Sequence, residues 1–283
     1  MHTEMDSFAS YLKEESDHVR QMKEDTKQEE WGSGGFGTGY KYHNNCLDMD
    51  FAVKIYDPVF VSAEEQLEGE KRFFREAKML FSLNNTHIAR IYDAGRMDGK
   101  PYIRMEYIKG YTVEELRNRE GNMSFSRSAI VILHILAGLK HAHEHGVIHR
   151  DLRPRNVIFS ENERMFKIID FGVSAFLDTE NHTQLTKTGE HIAGGSFIDP
   201  ILQQKPKIRD VRSDIYSVGA IWYFLLCGRA PSGSDMREYL EKSNSQITPT
   251  DIDIIMKCLS SSIENRYSSC EELLPIVKNA AMG

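Results

Sequence analysis

A surplus of basic charge is missing from this 283-residue chain: 35 lysines and arginines face 42 aspartates and glutamates, for a formal net charge of -7. Phosphate backbones and anionic headgroups repel such a surface, which argues against nucleic acid or anionic membrane as the main partner. Cysteine is scarce as well. Cys46, Cys227, Cys258 and Cys270 stand far apart with no C-x-x-C spacing. They read as free thiols of a reducing compartment, not as a disulfide frame or a zinc site. Long apolar runs are also lacking. The stretches Ala129 to Leu139, broken by His134, and Tyr216 to Cys227 fall short of the roughly 20 residues that a spanning helix needs. The opening MHTEMDSF shows no basic region followed by an apolar one, so no secretory signal is visible and the cytoplasm is the default. Repeats and low-complexity tracts are absent too.

What remains, at 40% hydrophobic, 27% charged and 10% aromatic residues, is the composition of a soluble globular protein. The length suits one large core or two lobes sharing a cleft. Residues 1–25 form a polar N-terminal extension. Phe8, Tyr11, Leu12, Val19 and Met22 fall near one helical face behind a possible Asp6 or Ser7 cap, and a short helix and a solvated lead-in stand equally. From Trp31 to Tyr56 the pattern turns to strand, with MDFAVKIY alternating. Residues 63–83 carry helical periodicity through Phe73, Phe74, Ala77, Leu80 and Phe81. HIARIYDAG and PYIRMEYI read as strands around the turn MDGK. Beyond Gly110 the texture is helical, with Ala129 to His145 stopping at Gly146 and Asp214 to Cys227 ending at Gly228. Glu106 to Lys109 reads as the connector. The fold class is α+β: a small strand-rich lobe with one main helix, then a larger, mostly helical lobe.

Chemistry-bearing residues punctuate this frame. WGSGGFGTGYK places glycines at 32, 34, 35, 37 and 39, a spacing that fits a phosphate-covering loop, a dinucleotide fold or a plain linker. Ala52-Val53-Lys54 puts a lysine in mid-strand, and Glu76 on the next helix is a carboxylate able to hold it. VIHRDLRPRNVIF sets Asp151 and Asn156 on a short irregular stretch between apolar segments, and KIIDFG adds Asp170. An oxygen-rich set of carboxylates and an amide suits Mg²⁺. His141, His143 and His145 alternate, a spacing that does not share a helical face, so they read as structural rather than as metal ligands.

Taken in order, the glycine loop, A-V-K, the helix glutamate, H-R-D-L-x-P-x-N and D-F-G resemble the eukaryotic-type protein kinase family over about residues 26–277. The resemblance implies a bilobal fold with an N-lobe over 26–107 and a C-lobe over 108–283. It implies a serine/threonine kinase that uses ATP and Mg²⁺, by the proline of the catalytic loop, Pro154. Gly32, Gly34 and Gly37 would cover the phosphates, and Lys54, paired with Glu76, would hold them. Ala52, Met105 as gatekeeper, Glu106, Ile108 and Ile158 would line the nucleotide. Asp151 would take the substrate proton beside Arg153, with Asn156 and Asp170 on the metal. Asp214 would cap the central helix and steady the catalytic loop, and Arg266 matches the family's late arginine. Arg150 would pair with a phosphate on Thr183, Thr186 or Thr188.

Three positions depart from the pattern. Gly39 stands where a valine packs on the adenine, which predicts nucleotide binding weaker than in a Gly39→Val variant. Arg153 replaces the usual lysine. Ile201 replaces the glutamate after Pro200 that pairs with the late arginine, so another acid, or water, is expected beside Arg266. A non-transferring scaffold and a kinase of a small molecule stay open beside the protein kinase.

Overall fold

The computed structural model describes residues 25–34, 37–57, 62–171, 197–205, 208–243 and 247–282. The helix expected within the N-terminal extension lies outside them. The chain divides into two compact units, one of residues up to Glu70 with Ile91–Tyr107, the other of Lys71–Arg90 with Ile108 onward.

The first unit is an antiparallel sheet of β1 (Asp25–Gly34), β2 (Gly37–Asn44), β3 (Met49–Ile55), β4 (Ile91–Met97) and β5 (Lys100–Glu106). The strand order is β1-β2-β3-β5-β4. Alternation in MDFAVKI buries Phe51 and Val53 on one face. Val53 meets Tyr42 and Tyr102 in a small core flanked by Tyr40, Ile55 and Met97. The expected hairpin is present. Asp98 and Gly99 both take positive φ (50° and 79°) between β4 and β5, the backbone that a tight two-residue turn requires. Charge is ordered here as well: Arg104 donates to Asp93 and to the buried Asp25, and lies over the Phe51 ring.

The second unit is mostly helical. It holds the C-terminal part of α1 (Ala63–Phe81), a small sheet of β6 (Gly110–Thr112), β7 (Val157–Ser160) and β8 (Met165–Ile168), and the helices α2 (Val113–Glu120), α3 (Phe125–Glu144), α4 (Pro200–Gln204), α5 (Arg212–Cys227), α6 (Met236–Ser243), α7 (Pro249–Cys258) and α8 (Cys270–Met282). α3 and α5 are apolar on nearly all sides and form the centre, as their sequences predict. Trp222 of α5 stacks on Phe125 of α3 and donates to Ser128 at 2.9 Å, so the one buried indole N–H is satisfied. Gly219 lets α5 approach α7 closely, since a Cβ there would lie 2.5 Å from that of Cys258. All four cysteines are free.

Candidate active site

In the first unit the glycine-rich segment is strand on both sides. Gly32 pairs with Gly39, Ser33 with Thr38 and Gly34 with Gly37, while residues 35 and 36 lie outside the described ones. Gly37 has φ +142°, and a Cβ there would collide with the carbonyl oxygen of Ile55. Only glycine lets β2 begin so close to the end of β3. Next across the sheet, Gly39 sits opposite Lys54, which sits opposite Ile103. Ala52 is opposite Met105, and Phe51 opposite Glu106. Lys54, Ala52, Met105 and Glu106 therefore share neighbouring rungs of one sheet. Glu76 lies on α1, but its side chain is outside the described ones, and so is the expected pair with Lys54.

In the second unit the site is a knot of backbone around one carboxylate. Asp214, fully buried, accepts the His149 N–H and His143 Nε2 on one oxygen and the Arg150 N–H on the other, each at 2.8 Å. Burial alone would raise its pKa. The His143 hydrogen bond, the His143 and His149 charges and the Arg150 amide outweigh that and hold Asp214 below the ordinary carboxylate range. The expected cap is a correction: Asp214 stands inside the first turn of α5, the N-cap position is Val211, and the side chain serves the loop instead. The sequence also gave no sign of its partner. His143, with Cys270 Sγ 3.7 Å from its Nδ1, is that partner, while His145 bonds back to the His141 carbonyl.

Anchored in this way, Arg150 takes φ +62°, and the Asp151 N–H donates to the His149 carbonyl at 2.8 Å. The half-buried Asp151 carboxylate accepts from Arg153 Nη2. Asn156, buried at the end of a single 3₁₀ turn (Pro154–Asn156), donates from Nδ2 to the Asp151 carbonyl at 2.9 Å. Its own carbonyl takes the Ile169 N–H at 2.9 Å, which fixes the residue before Asp170. Asp170 has φ +54°, and Phe171 after it is buried against His149, ring centroids 4.8 Å apart. Asp151, Arg153 and Asn156 are thus tied into one hydrogen-bonded run that continues to Ile169, the residue before Asp170. Ile158 lies on β7 opposite Thr112, and Ile108 is buried just ahead of β6. Thr183, Thr186 and Thr188 fall outside the described residues.

The model of the family described as "Protein kinase domain" matches residues 26–277. The chain belongs to this family. The serine/threonine-protein kinase PknB of Mycolicibacterium smegmatis is 30% identical over 86% of the chain and 40% of its own length. PknB of Mycobacterium tuberculosis is 31% identical, with the same two shares. The chain thus spans about two fifths of the length of these curated relatives. A crystal structure of Rad53 1-466 in complex with AMP-PNP has a similar fold, with a TM-score of 0.71 at 23% identity, covering 89% of this chain and 64% of that one.

Within this protein kinase domain the acid expected beside Arg266 is Asp199. Arg266 Nη2 and Nη1 donate to its two oxygens at 2.9 and 2.5 Å, and both side chains are fully buried. Arg266 also donates to the Ser260 and Arg212 carbonyls. The acid has moved to the other side of Pro200. From there Asp199 also caps α4, accepting the Ile201 N–H at 3.0 Å. Its signal was available, because Asp199 is the one acid in GGSFIDPILQQ.

Proposed function

We propose that the chain is a serine/threonine protein kinase that moves the γ-phosphoryl group of ATP onto serine or threonine hydroxyls of a protein substrate. The observation that carries this reading is the loop around Asp151. A buried, ionised Asp214 grips two successive amides, and Asn156 ties the Asp151 backbone to the strand end that leads to Asp170. Such a cage makes a half-exposed carboxylate rigid, which is what positioning catalysis needs. The names of the relatives support the same choice.

In this reading Asp151 accepts the proton that leaves the attacking hydroxyl, and Arg153, bonded to it, meets the charge of the transferring group. Lys54 holds the phosphates, the backbone of Gly32, Gly34 and Gly37 covers them, and Ala52, Glu76, Met105, Glu106, Ile108 and Ile158 serve the nucleotide. The amide of Asn156 and the carboxylate of Asp170 fit Mg²⁺: the Asn156 nitrogen is committed to Asp151, so its oxygen is the end a hard cation takes. Bound there, the ion would neutralise phosphate charge. Arg150 pairs with a phosphate carried on Thr183, Thr186 or Thr188, and the pair orders the loop. The N-terminal extension spans residues 1–25, the lobes span 26–107 and 108–283, and the setting is the cytoplasm, with no nucleic acid or membrane partner. Among the described residues no helix is long and apolar enough to cross a membrane.

The test is incubation with labelled MgATP and a generic protein substrate, beside Asp151→Asn. Transfer to protein that falls by roughly 10²–10⁴-fold in the variant supports the reading. Nucleotide binding with no transfer makes the domain a scaffold, and transfer to metabolites alone makes it a small-molecule kinase.

A further inference from the structure

We propose that Cys270 is a positioning residue: its thiol donates to Nδ1 of His143, holds that ring as the Nε2–H tautomer, and so sets Asp214 for the loop of Asp151. What this does for phosphoryl transfer rests on the kinase reading above; the tautomer itself does not. Asp214 is fully buried, and its oxygens accept His143 Nε2 and the amides of His149 and Arg150. An ionised carboxylate only accepts, so Nε2 must carry the proton that His143 shares with it. A neutral imidazole has one ring proton. Nδ1 is then a bare lone pair, on a side chain only 10% exposed. A buried acceptor left without a donor is costly. Among the described residues the polar atom that meets it is Cys270 Sγ, at 3.7 Å, a separation suited to the large sulfur atom. The thiol is a weak donor, but at 1% exposure it is sealed in with its acceptor.

The start of α8 holds the thiol in that place and in that state. Cys270 opens the helix, and the turn around it is fastened from both ends. Ser269 Oγ accepts the Glu272 N–H at 3.2 Å, and Glu272 accepts the Ser268 N–H and hydroxyl, both at 2.7 Å. A helix N-terminus ordinarily favours a thiolate, which has no proton to give. Here burial first, and the Asp214 charge second, push the Cys270 thiol up instead. The S–H therefore persists at neutral pH, and the donors run one way, from Cys270 to His143 to Asp214. By this row the last helix of the chain reaches the amides that shape the catalytic loop.

The test has two arms. The first is nitrogen NMR of the full native chain labelled with ¹⁵N-histidine, the His143 ring being recognised by its through-space contacts with Cys270. The expected pattern is one bare and one protonated ring nitrogen, with the proton on Nε2. The second arm compares Cys270→Ala with Cys270→Ser, which remove the same sulfur but differ in whether a donor returns. Phosphoryl transfer should fall roughly fivefold in kcat in Cys270→Ala, the low end of the cost of an unsatisfied buried acceptor. KM for ATP should hold, because the loss lies in placement rather than in binding. Cys270→Ser should stay within about twofold of the native kcat. A ring protonated on both nitrogens or on Nδ1 alone would overturn the proposal. So would native kcat in Cys270→Ala, or an equal loss in both variants, which is what a packing role gives. No transfer by the native chain strikes the kinase reading, while the ring pattern still decides the tautomer.

Discussion

Asp199 shows how one residue can carry a substitution made at another. An arginine sealed from water needs its charge met, and Arg266 has it met by a carboxylate two residues before the isoleucine that stands in the usual acidic position. The same carboxylate caps α4, so geometry and charge are fixed together. Asp199→Ala should destabilise the chain by about 3–5 kcal/mol, the cost of leaving one member of a buried pair alone. Urea denaturation measures this, and a loss below about 1 kcal/mol would mean that water reaches Arg266. Adding Ile201→Glu to Asp199→Ala should recover part of the loss, since it returns an acid to the following turn. Sequence narrowed the partner to one candidate, since Asp199 is the one acid in GGSFIDPILQQ, without showing that the two residues meet. The pairing joins residues 67 apart, and composition says only that an arginine needs some acid.

Elements were more legible than their junctions. Periodicity located α1, α3 and α5, and alternation located β3 to β5, because burial on one face or all round leaves its mark on every turn. The span from Trp31 did read as strand, but its glycines carry no side chain to show a face, and the bulge at Trp31 depends on a register that no single strand encodes. Helix contacts are also set by small residues: Gly219→Ala would push Cβ to 2.5 Å from Cys258 Cβ. Overpacking of this kind costs about 1–3 kcal/mol, to be read as a lower thermal midpoint. A second junction is sensitive to pH. His134 of α3 accepts the Phe166 N–H of β8 at Nδ1 and stacks on His87, whose own Nδ1 meets the Phe166 carbonyl. Burial first, and the His87 charge second, push the His134 pKa down from 6.5 to about 4. A folded-state pKa below the unfolded one means that protons favour unfolding, so this contribution is whole above pH 6.5 and is lost as pH falls toward 4. His134→Gln should lower the urea midpoint at pH 7 yet flatten its decline over that window. Parallel pH profiles of the two proteins would show the junction to be insensitive.

At the scale of the whole molecule, the candidate residues are divided between two separately packed units. The first holds the glycine-rich strands with Lys54 on the neighbouring β3, and the second holds the caged loop with Asp151 and Asn156, followed by Asp170. In the kinase reading the first set would grip phosphate, and the second would supply the base and the cation ligands. A ligand that binds the folded chain and not the unfolded one must stabilise it by mass action, by about 2.7 kcal/mol at a hundred times its dissociation constant. That corresponds to a rise of roughly 5 °C in the thermal midpoint for a chain of this size. ATP with Mg²⁺ should give that rise. Asp170→Asn should keep the part that ATP gives in the presence of a chelator and lose the increment that Mg²⁺ adds, since the amide removes the one formal charge at that position while the backbone bond from Ile169 to Asn156 remains. Lys54→Met should reduce both parts. If Asp170→Asn retained the full Mg²⁺ increment, the cation would be held elsewhere, and the assignment of Asn156 and Asp170 as its ligands would fall while the rest of the kinase reading stood.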